Sequence, residues 1–335
     1  MDTIDLEQWL GEAAPRPLAE LLRQLAGACA RIARTAARGA PEGLASEADA
    51  SMCAALSGCP HVAGWASGPQ CRATVSPEHG SGGAYLVMFE PLDGAAELAG
   101  NGPLGSVFSV LPHLFRGTPA SDAAFMQPGR RLLAAGYALY GPQTVLVLSI
   151  GKGVHVFTLD AEDRSEAGQW RLTRTAVQVP AASTDFAIDF AMQRFWEKPV
   201  QRYVGECLAG STGPRGRDFA MGWSTSLAAE VHRIFSRGGV FLAPRDCKPP
   251  YRPGPLRLMI EAAPMAWLME QAGAGATNGT SALLDLVPDA LHQKVPVILG
   301  SRDEVERIAA YHADPSENVS WQLFKTRSLF VPSRL

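Results

Sequence analysis

The sequence contains no long apolar run, no Cys-x-x-Cys pair and no excess of basic residues. No apolar stretch approaches the roughly 20 residues needed to cross a bilayer. The formal net charge of −3 gives no reason to expect binding to nucleic acid or to an anionic membrane. The 335 residues, 47% of them apolar, suffice for two domains or for one large two-lobed unit with a sizeable core.

The chain also lacks features of secreted proteins. Residues 1–5 are acidic and have neither the basic region nor the apolar core of a signal peptide. The six cysteines are scattered, which is typical of free thiols in a reducing compartment, so we expect a cytoplasmic protein. Cys53, Cys59, His61 and Cys71 could in principle bind zinc, but their spacing matches no standard zinc motif. Buried or incidental thiols are the favoured interpretation.

Apolar periodicity predicts alternating helices and strands. Apolar residues recur at helical spacing over 17–38, which predicts an amphipathic helix. The apolar run at 84–89 is typical of a buried strand, and it ends in a turn at 90–94. Further strands are predicted at 106–111, 132–140, 144–150, 153–159, 239–242, 257–261 and 297–300, and helices at 46–57, 191–207, 223–237, 264–272 and 303–312. This alternation indicates α/β layering.

Acidic residues stand at the predicted ends of two strands. Glu90 and Asp93 follow the strand at 84–89, and Glu261 ends the strand at 257–261. Oxygen ligands suit Mg²⁺, and strand ends in α/β proteins are places where such ligands are held. Taken alone the pattern is weak, because acidic residues at strand ends are more often solvated turn residues.

The turn at 90–94 belongs to a longer motif, Phe-Glu-Pro-Leu-Asp-Gly at 89–94. This motif resembles the Phe-Asp-Pro-Leu-Asp-Gly-Ser-Ser-Asn signature of class I fructose-1,6-bisphosphatases. Further matches to that family follow in the expected order at 194–196, 201–203, 229–234, 238–242, 256–258, 261–266, 291–293 and 296–301. The resemblance implies a layered αβαβα sandwich that forms a homodimer or homotetramer. We expect an N-terminal lobe over 1–180 and a C-terminal lobe over 181–335.

The resemblance implies hydrolysis of the 1-phosphate of fructose 1,6-bisphosphate with two or three Mg²⁺ ions. Asp93 and Glu261 match metal-binding acids of the family, and Glu90 stands where the family has an aspartate. The family's Ser-Glu-Glu motif is not matched, since Gly68 follows Ser67. With only Glu90, Asp93 and Glu261 left as metal ligands, we expect weak Mg²⁺ binding and no required cofactor.

Residues that would contact the phosphates differ from the family in the same direction. Ala95 and Ala96 stand where the signature has serines, and Glu97 stands where it has asparagine. Asp189 places a carboxylate where an amide is expected. The other candidate substrate-binding residues are Arg257, Trp223, Gly222 and Ala243. These differences predict a cleft that is less cationic and more apolar.

Three functional hypotheses follow. The first is a repurposed enzyme acting on a small molecule other than a sugar bisphosphate, with Asp93, Glu90, Glu261 and Asp189 as acid/base catalysts. The second is a non-catalytic binding or regulatory protein. The third is a weak Mg²⁺-dependent sugar-phosphate phosphatase, a phosphoric monoester hydrolase. We expect the first, with a small-molecule ligand as its partner rather than nucleic acid or a membrane.

Overall fold

The computed structural model of the protein describes residues 4–39, 42–163, 165, 167–248, 250 and 253–314. Within these ranges the α-helices are α1 (Leu6–Ala13), α2 (Arg16–Ala37), α3 (Leu44–Ser57), α4 (Lys198–Leu208), α5 (Leu227–Arg237), α6 (Ala263–Gln271) and α7 (Arg302–Ala313). None of these described helices is long and apolar enough to cross a membrane.

The strands of the same ranges fall into two halves of the chain. The first half carries β1 (Val62–Ser67), β2 (Thr74–Val75), β3 (Tyr85–Asp93), β4 (Leu104–Pro112), β5 (Ala134–Tyr140), β6 (Thr144–Ser149), β7 (His155–Leu159) and β8 (Trp170–Arg174). The second half carries β9 (Asp185–Ile188), β10 (Ala220–Gly222), β11 (Val240–Ala243), β12 (Leu256–Arg257), β13 (Gly275–Thr277), β14 (Lys294–Val295) and β15 (Val297–Gly300).

These strands form two main sheets. The larger sheet has the order β2-β1-β3-β4-β5-β6-β7-β8, in which β1 and β3 pair in parallel and the other neighbours pair antiparallel. The smaller sheet has the order β10-β9-β11-β15-β13. Its first three strands are parallel to one another, and β11, β15 and β13 pair antiparallel. A separate ribbon joins β12 to β14.

Helices and sheets alternate in five layers. One apolar cluster joins α1, α2 and α3 to one face of the larger sheet. A second cluster joins its other face to α5, α6 and one face of the smaller sheet. A third joins the remaining face of the smaller sheet to α4 and α7. The predicted layered α/β fold is therefore confirmed. The division into lobes at 180 and 181 stays a prediction, and the end of its second lobe lies outside the described residues.

The N-terminal helix follows its sequence pattern closely. Helix α2 runs over Arg16–Ala37, where the apolar spacing predicted a helix over 17–38. Leu18, Leu21, Leu22 and Leu25 are buried on one face against the larger sheet. Each such leucine contributes about 1.5–3 kcal/mol through the apolar area it removes from water.

Two predicted elements are wrong. The strand expected at 257–261 is limited to Leu256–Arg257, and a π-helical turn over Leu258–Ala262 leads directly into α6. A short apolar run fits a buried strand and a buried helical turn equally well, so periodicity could not separate them. The helix expected at 191–207 is a 3₁₀ turn at Phe190–Phe195 followed by α4, because Pro199 favours a fresh helix start there.

Candidate functional site

The centre of the site lies at the end of β3. Glu90 and Asp93 are three residues apart and would face opposite sides of a regular strand. The pairing of β3 with β4 shifts register between these two residues, so the strand is irregular there and both side chains reach the same centre. Ser106 stabilises the irregular segment by donating a hydrogen bond of 2.7 Å to the Pro91 carbonyl.

Asp93 is held by the beginning of α5. One carboxylate oxygen accepts from Ser226 Oγ at 2.7 Å and from the Ala228 amide at 2.8 Å, and the other accepts from the Leu227 amide at 3.1 Å. Amides at a helix N-terminus are unpaired within the helix, and the helix dipole favours an anion there. These hydrogen bonds fix the orientation of the Asp93 carboxylate and satisfy it at a position that is only 7% exposed.

Arg257 joins the two glutamates. Its Nη2 donates to Glu90 at 2.5 Å, and its Nε donates to Glu261 at 2.8 Å. Its backbone amide also donates to Glu261, and its Nη1 donates to the Gly68 carbonyl at 2.8 Å. One guanidinium therefore connects the end of β1, the end of β3 and the π-helical turn before α6. Glu261 reaches this centre from a helical turn and not from the predicted strand end.

Gly68 leaves the space that Glu90 occupies. A Cβ atom on residue 68 would lie 1.9 Å from Glu90 Oε2 and 2.8 Å from Arg257 Nη1. Contacts this short do not occur between real atoms, so any side chain at this position displaces Glu90 or Arg257. The long Glu90 side chain thus occupies space that is free only because residue 68 is a glycine.

The carboxyl groups are perturbed by their surroundings. Burial raises the pKa of Glu90 to about 7, against the opposing effect of the Arg257 guanidinium. Burial also raises the pKa of Asp93 to about 6, although hydrogen bonds from Ala228 and Ser226 favour its charged form. Both groups therefore hold or release a proton close to neutral pH when no added cation is present.

Some predicted residues lie apart from this centre. Asp189 directly follows β9, and its carboxylate accepts a hydrogen bond from the Ala191 amide at 3.0 Å, which caps the 3₁₀ turn that begins at Phe190. Its described hydrogen bonds do not connect it to Glu90, Asp93 or Glu261. Ala95 and Ala96 are exposed in the 3₁₀ turn that directly follows Asp93 and Gly94.

The second half of the chain supplies an aromatic residue beside the site. Trp223 is 41% exposed and stacks on Phe241, with ring centroids 5.9 Å apart and an interplanar angle of 5°. Gly222 ends strand β10, and Ala243 is buried at the end of β11. Trp223 lies three residues before Ser226, the first of the residues that bind Asp93.

Sequence reasoning missed the residues that donate hydrogen bonds to Asp93 and to Glu97. Ser226 binds Asp93 and also accepts from the Ala229 amide at 3.2 Å, as the N-cap of α5. A serine directly before an apolar-periodic helix is a recognised N-cap signal, so this residue could have been found. Thr225, which binds Glu97, carried no such signal.

The cysteine and histidine cluster considered for zinc is dispersed. His61 contacts Glu20 at 2.7 Å, and Cys53 contacts Gln70 at 3.4 Å. All six cysteines are free. Within the described part of the chain, no three His, Cys, Asp or Glu side chains are grouped so as to enclose a metal ion, either here or at the acidic centre.

Known proteins similar to this chain include one that matches it over its whole length. The "Fructose-1,6-bisphosphatase class 1 1" of Methylibium petroleiphilum is 66% identical over 348 residues, which cover 99% of this chain and 99% of that protein. Identity at this level over the full length points to an ordinary member of its class. It overturns our expectations of a repurposed enzyme and of a non-catalytic protein, and it does not support a degenerate site.

Two solved structures have the same fold. They are the holo and apo forms of Leishmania major fructose-1,6-bisphosphatase, 26% and 27% identical to this chain. The holo form matches with a TM-score of 0.86 over 94% of this chain and 100% of that one. The apo form matches with a TM-score of 0.85 over 93% of this chain and 100% of that one.

The expectation that no cofactor is required is also wrong. It depended on counting metal ligands against the family motif, and a chain this similar to a class 1 fructose-1,6-bisphosphatase falls under the divalent-metal dependence that the resemblance implies. The count failed because side chains were compared position by position. A Cβ atom on residue 68 would overlap the Glu90 carboxylate, so the Glu90 side chain extends into the space beside residue 68.

Family models cover both halves of the chain. The model of the fructose-1,6-bisphosphatase N-terminal domain matches residues 25–175, and that of the C-terminal domain matches residues 179–313. The resemblance that began with the motif at 89–94 therefore extends over both sheets and the acidic centre between them, and the chain belongs to the fructose-1,6-bisphosphatase family.

Proposed function

We propose that this protein hydrolyses the 1-phosphate of fructose 1,6-bisphosphate in a reaction that depends on a divalent cation. The observation that carries the proposal is the 66% identity to a class 1 fructose-1,6-bisphosphatase over 99% of both chains. The site supports it, because carboxylates from β3 and from the π-helical turn converge with one guanidinium in a largely buried centre.

The donor set at this centre suits a hard divalent cation. Carboxylate oxygens such as those of Glu90, Asp93 and Glu261 are the ligands that Mg²⁺ prefers. These three acids are the side chains that would hold the cation, although Arg257 lies between Glu90 and Glu261 in this structure and the described acids are not grouped around one point. A bound divalent cation would neutralise phosphoryl oxygens and lower the pKa of a bound water.

The chain's own residues orient this chemistry. Asp93 is immobilised by three hydrogen bonds from the start of α5, so its carboxylate does not have to reorganise during the reaction. Glu90 and Glu261 are both hydrogen-bonded to Arg257, so one guanidinium orients two of the acids. Asp189 keeps the role of a turn cap in this proposal.

The substrate would lie between the turn that follows Asp93 and a wall formed by the second half of the chain. Ala95, Ala96, Gly222 and Ala243 have small side chains and leave room for a bulky sugar phosphate. Trp223 is stacked on Phe241 and partly exposed, so it offers a flat apolar surface to the sugar ring.

The test is phosphate release from fructose 1,6-bisphosphate by the purified protein. We expect turnover in the presence of Mg²⁺, no turnover after treatment with EDTA, and recovery when Mg²⁺ is returned in excess. Sustained turnover in EDTA, or no turnover at any Mg²⁺ concentration, contradicts the proposal.

Replacing Glu261 with glutamine should reduce kcat/KM by about a hundredfold or more, since a ligand oxygen and a negative charge are lost from the centre. The matched control is Glu270→Gln on the neighbouring helix α6. Glu270 pairs with Arg130 in a partly exposed ion pair, which contributes little to stability or activity. Equal activities of the two variants would remove Glu261 from the proposed site.

Assembly and location extend the same proposal. A small-molecule substrate is the partner that the family relationship supports. We propose a homodimer or homotetramer, as the family resemblance implies, and sedimentation of the purified protein checks it. The free state of all six cysteines supports a cytoplasmic location.

A further inference from the structure

Glu97 binds the segment that precedes α5. Its Oε1 accepts from the Thr225 amide at 2.8 Å, from Thr225 Oγ1 at 2.9 Å and from Ser224 Oγ at 3.5 Å. The Thr225 amide is the main cause of a lowered pKa at Glu97, so the side chain is a carboxylate at neutral pH. Ser224 Oγ accepts in turn from the Ser226 amide at 3.1 Å.

Close backbone approach accompanies these hydrogen bonds. Gly94 has a φ of +76°, and a Cβ atom on it would lie 2.6 Å from Ser226 Cβ. A Cβ atom on Gly102 would lie 2.7 Å from Glu97 Oε2, so Gly102 leaves the space in which the Glu97 side chain lies. The turn at 93–97 therefore contacts the segment at 224–228 at both of its ends, through Glu97 and through Asp93.

The two contacts have separate targets. Asp93 binds Ser226 and the first amides of α5, whereas Glu97 binds Ser224 and Thr225. Trp223 directly precedes Ser224. Among the described ring contacts, its indole stacks on Phe241 alone. The backbone that carries the exposed indole is thus held on one side by the pairing of Gly222 in β10 with β9, and on the other side by the hydrogen bonds of Glu97 to Ser224 and Thr225.

We propose that Glu97 is a positioning residue that holds Ser224 and Thr225 and thereby sets Trp223 as the wall against which the substrate binds. This inference rests on the proposed function, since it concerns the same site. Because Asp93 keeps its own hydrogen bonds when Glu97 is changed, substrate binding and not the chemical step is affected. The contact consists of the Glu97 carboxylate on one side and of Ser224 and Thr225 on the other.

The kinetic test compares Glu97→Ala, Glu97→Gln and the control Glu12→Ala. Glu12 is exposed on α1, where its described contact is with Gln8. Loss of the Thr225 contacts in Glu97→Ala should raise KM for fructose 1,6-bisphosphate about tenfold and change kcat less than threefold. Glutamine keeps an acceptor oxygen, so Glu97→Gln should remain within about threefold of wild type. The concentration of Mg²⁺ that gives half-maximal activity should not move in either variant.

A different kinetic result overturns the inference. A fall in kcat as large as the rise in KM would show that Glu97 supports the fold of the site in general and does not act on substrate binding. Tighter inhibition of Glu97→Ala by inorganic phosphate would show that the carboxylate blocks an anion site instead of positioning the segment. An unchanged KM would show that the segment keeps its place without Glu97.

Hydrogen exchange tests the contact without any assay of activity. The Thr225 amide donates to Glu97, so a peptide spanning 220–230 should exchange faster in Glu97→Ala than in wild type and in Glu12→Ala. Unchanged exchange overturns the inference. If the wild-type protein does not hydrolyse fructose 1,6-bisphosphate, the proposed function fails, and exchange still decides whether Glu97 restrains the segment.

Discussion

Replacing Gly68 with alanine should lower kcat/KM for fructose 1,6-bisphosphate by about a hundredfold or more. The added Cβ atom would lie 1.9 Å from Glu90 Oε2 and 2.8 Å from Arg257 Nη1. Neither group can stay in place, and both belong to the centre that we propose binds the cation and the phosphate. The matched control is Gly82→Ala, since a Cβ atom on Gly82 has no neighbour within 4 Å.

A second substitution should repair part of this defect. Aspartate at position 90 is one methylene shorter than glutamate and withdraws from the space beside residue 68. Gly68→Ala combined with Glu90→Asp should therefore recover at least about tenfold in kcat/KM over Gly68→Ala alone. The four proteins of this double-mutant cycle are compared at saturating Mg²⁺. Additive losses would show that residues 68 and 90 do not share the space, and the steric account would be wrong.

Replacing Arg257 with methionine should destabilise the cation-free protein. Arg257 is the shared partner of Glu90 and Glu261, whose side chains are only 12% and 11% exposed. Breaking a buried ion pair from one side leaves uncompensated charge and costs about 3 kcal/mol of the free energy of unfolding. Mg²⁺ should restore much of this loss, because a bound cation supplies the missing positive charge.

Urea unfolding in EDTA and in Mg²⁺ measures this effect. The control is Arg130→Met, which removes a similar pair of contacts, to Glu270 and Asp285, from an exposed arginine. Exposed ion pairs contribute about 0–1 kcal/mol each, so this control should remain close to wild type. Equal destabilisation of both variants, or a loss at position 257 that Mg²⁺ does not reduce, would contradict the role given to Arg257.

The sequence predicted the fold because its signals were local and consistent. The apolar stripe of α2 and the buried run at 84–89 both correspond to elements of the structure, and the motif at 89–94 extends to matches along the whole chain. Arg257 binds both Glu90 and Glu261, and the charge of Asp93 contributes to the raised pKa of Glu90, while their role in the site stays a prediction. Predictions from long periodic segments and from motifs in a fixed order agree with the structure, because few alternative folds satisfy all of them.

Local geometry could not be predicted in the same way. Nothing in the sequence distinguishes the π-helical turn at Leu258–Ala262 from a short strand. The matched fit of Gly68 and Glu90 depends on two strands, β1 and β3, lying side by side, which no single segment specifies. The functional expectation failed at this point. Substitutions were counted one position at a time, whereas the side chains of neighbouring strands share one space.

The distribution of the site over the chain bears on how the protein is made. Asp93 and the donors that hold it are separated by 133 to 135 positions, and Glu90 lies 167 positions before Arg257. A ribosome delivers the chain from its N-terminus, so the strands of the larger sheet emerge well before residue 226. During that interval Glu90 and Asp93 have neither counter-charge nor donors. The proposed site is therefore complete only after Arg257 has been synthesised, and we expect no turnover from a nascent chain that stops before it.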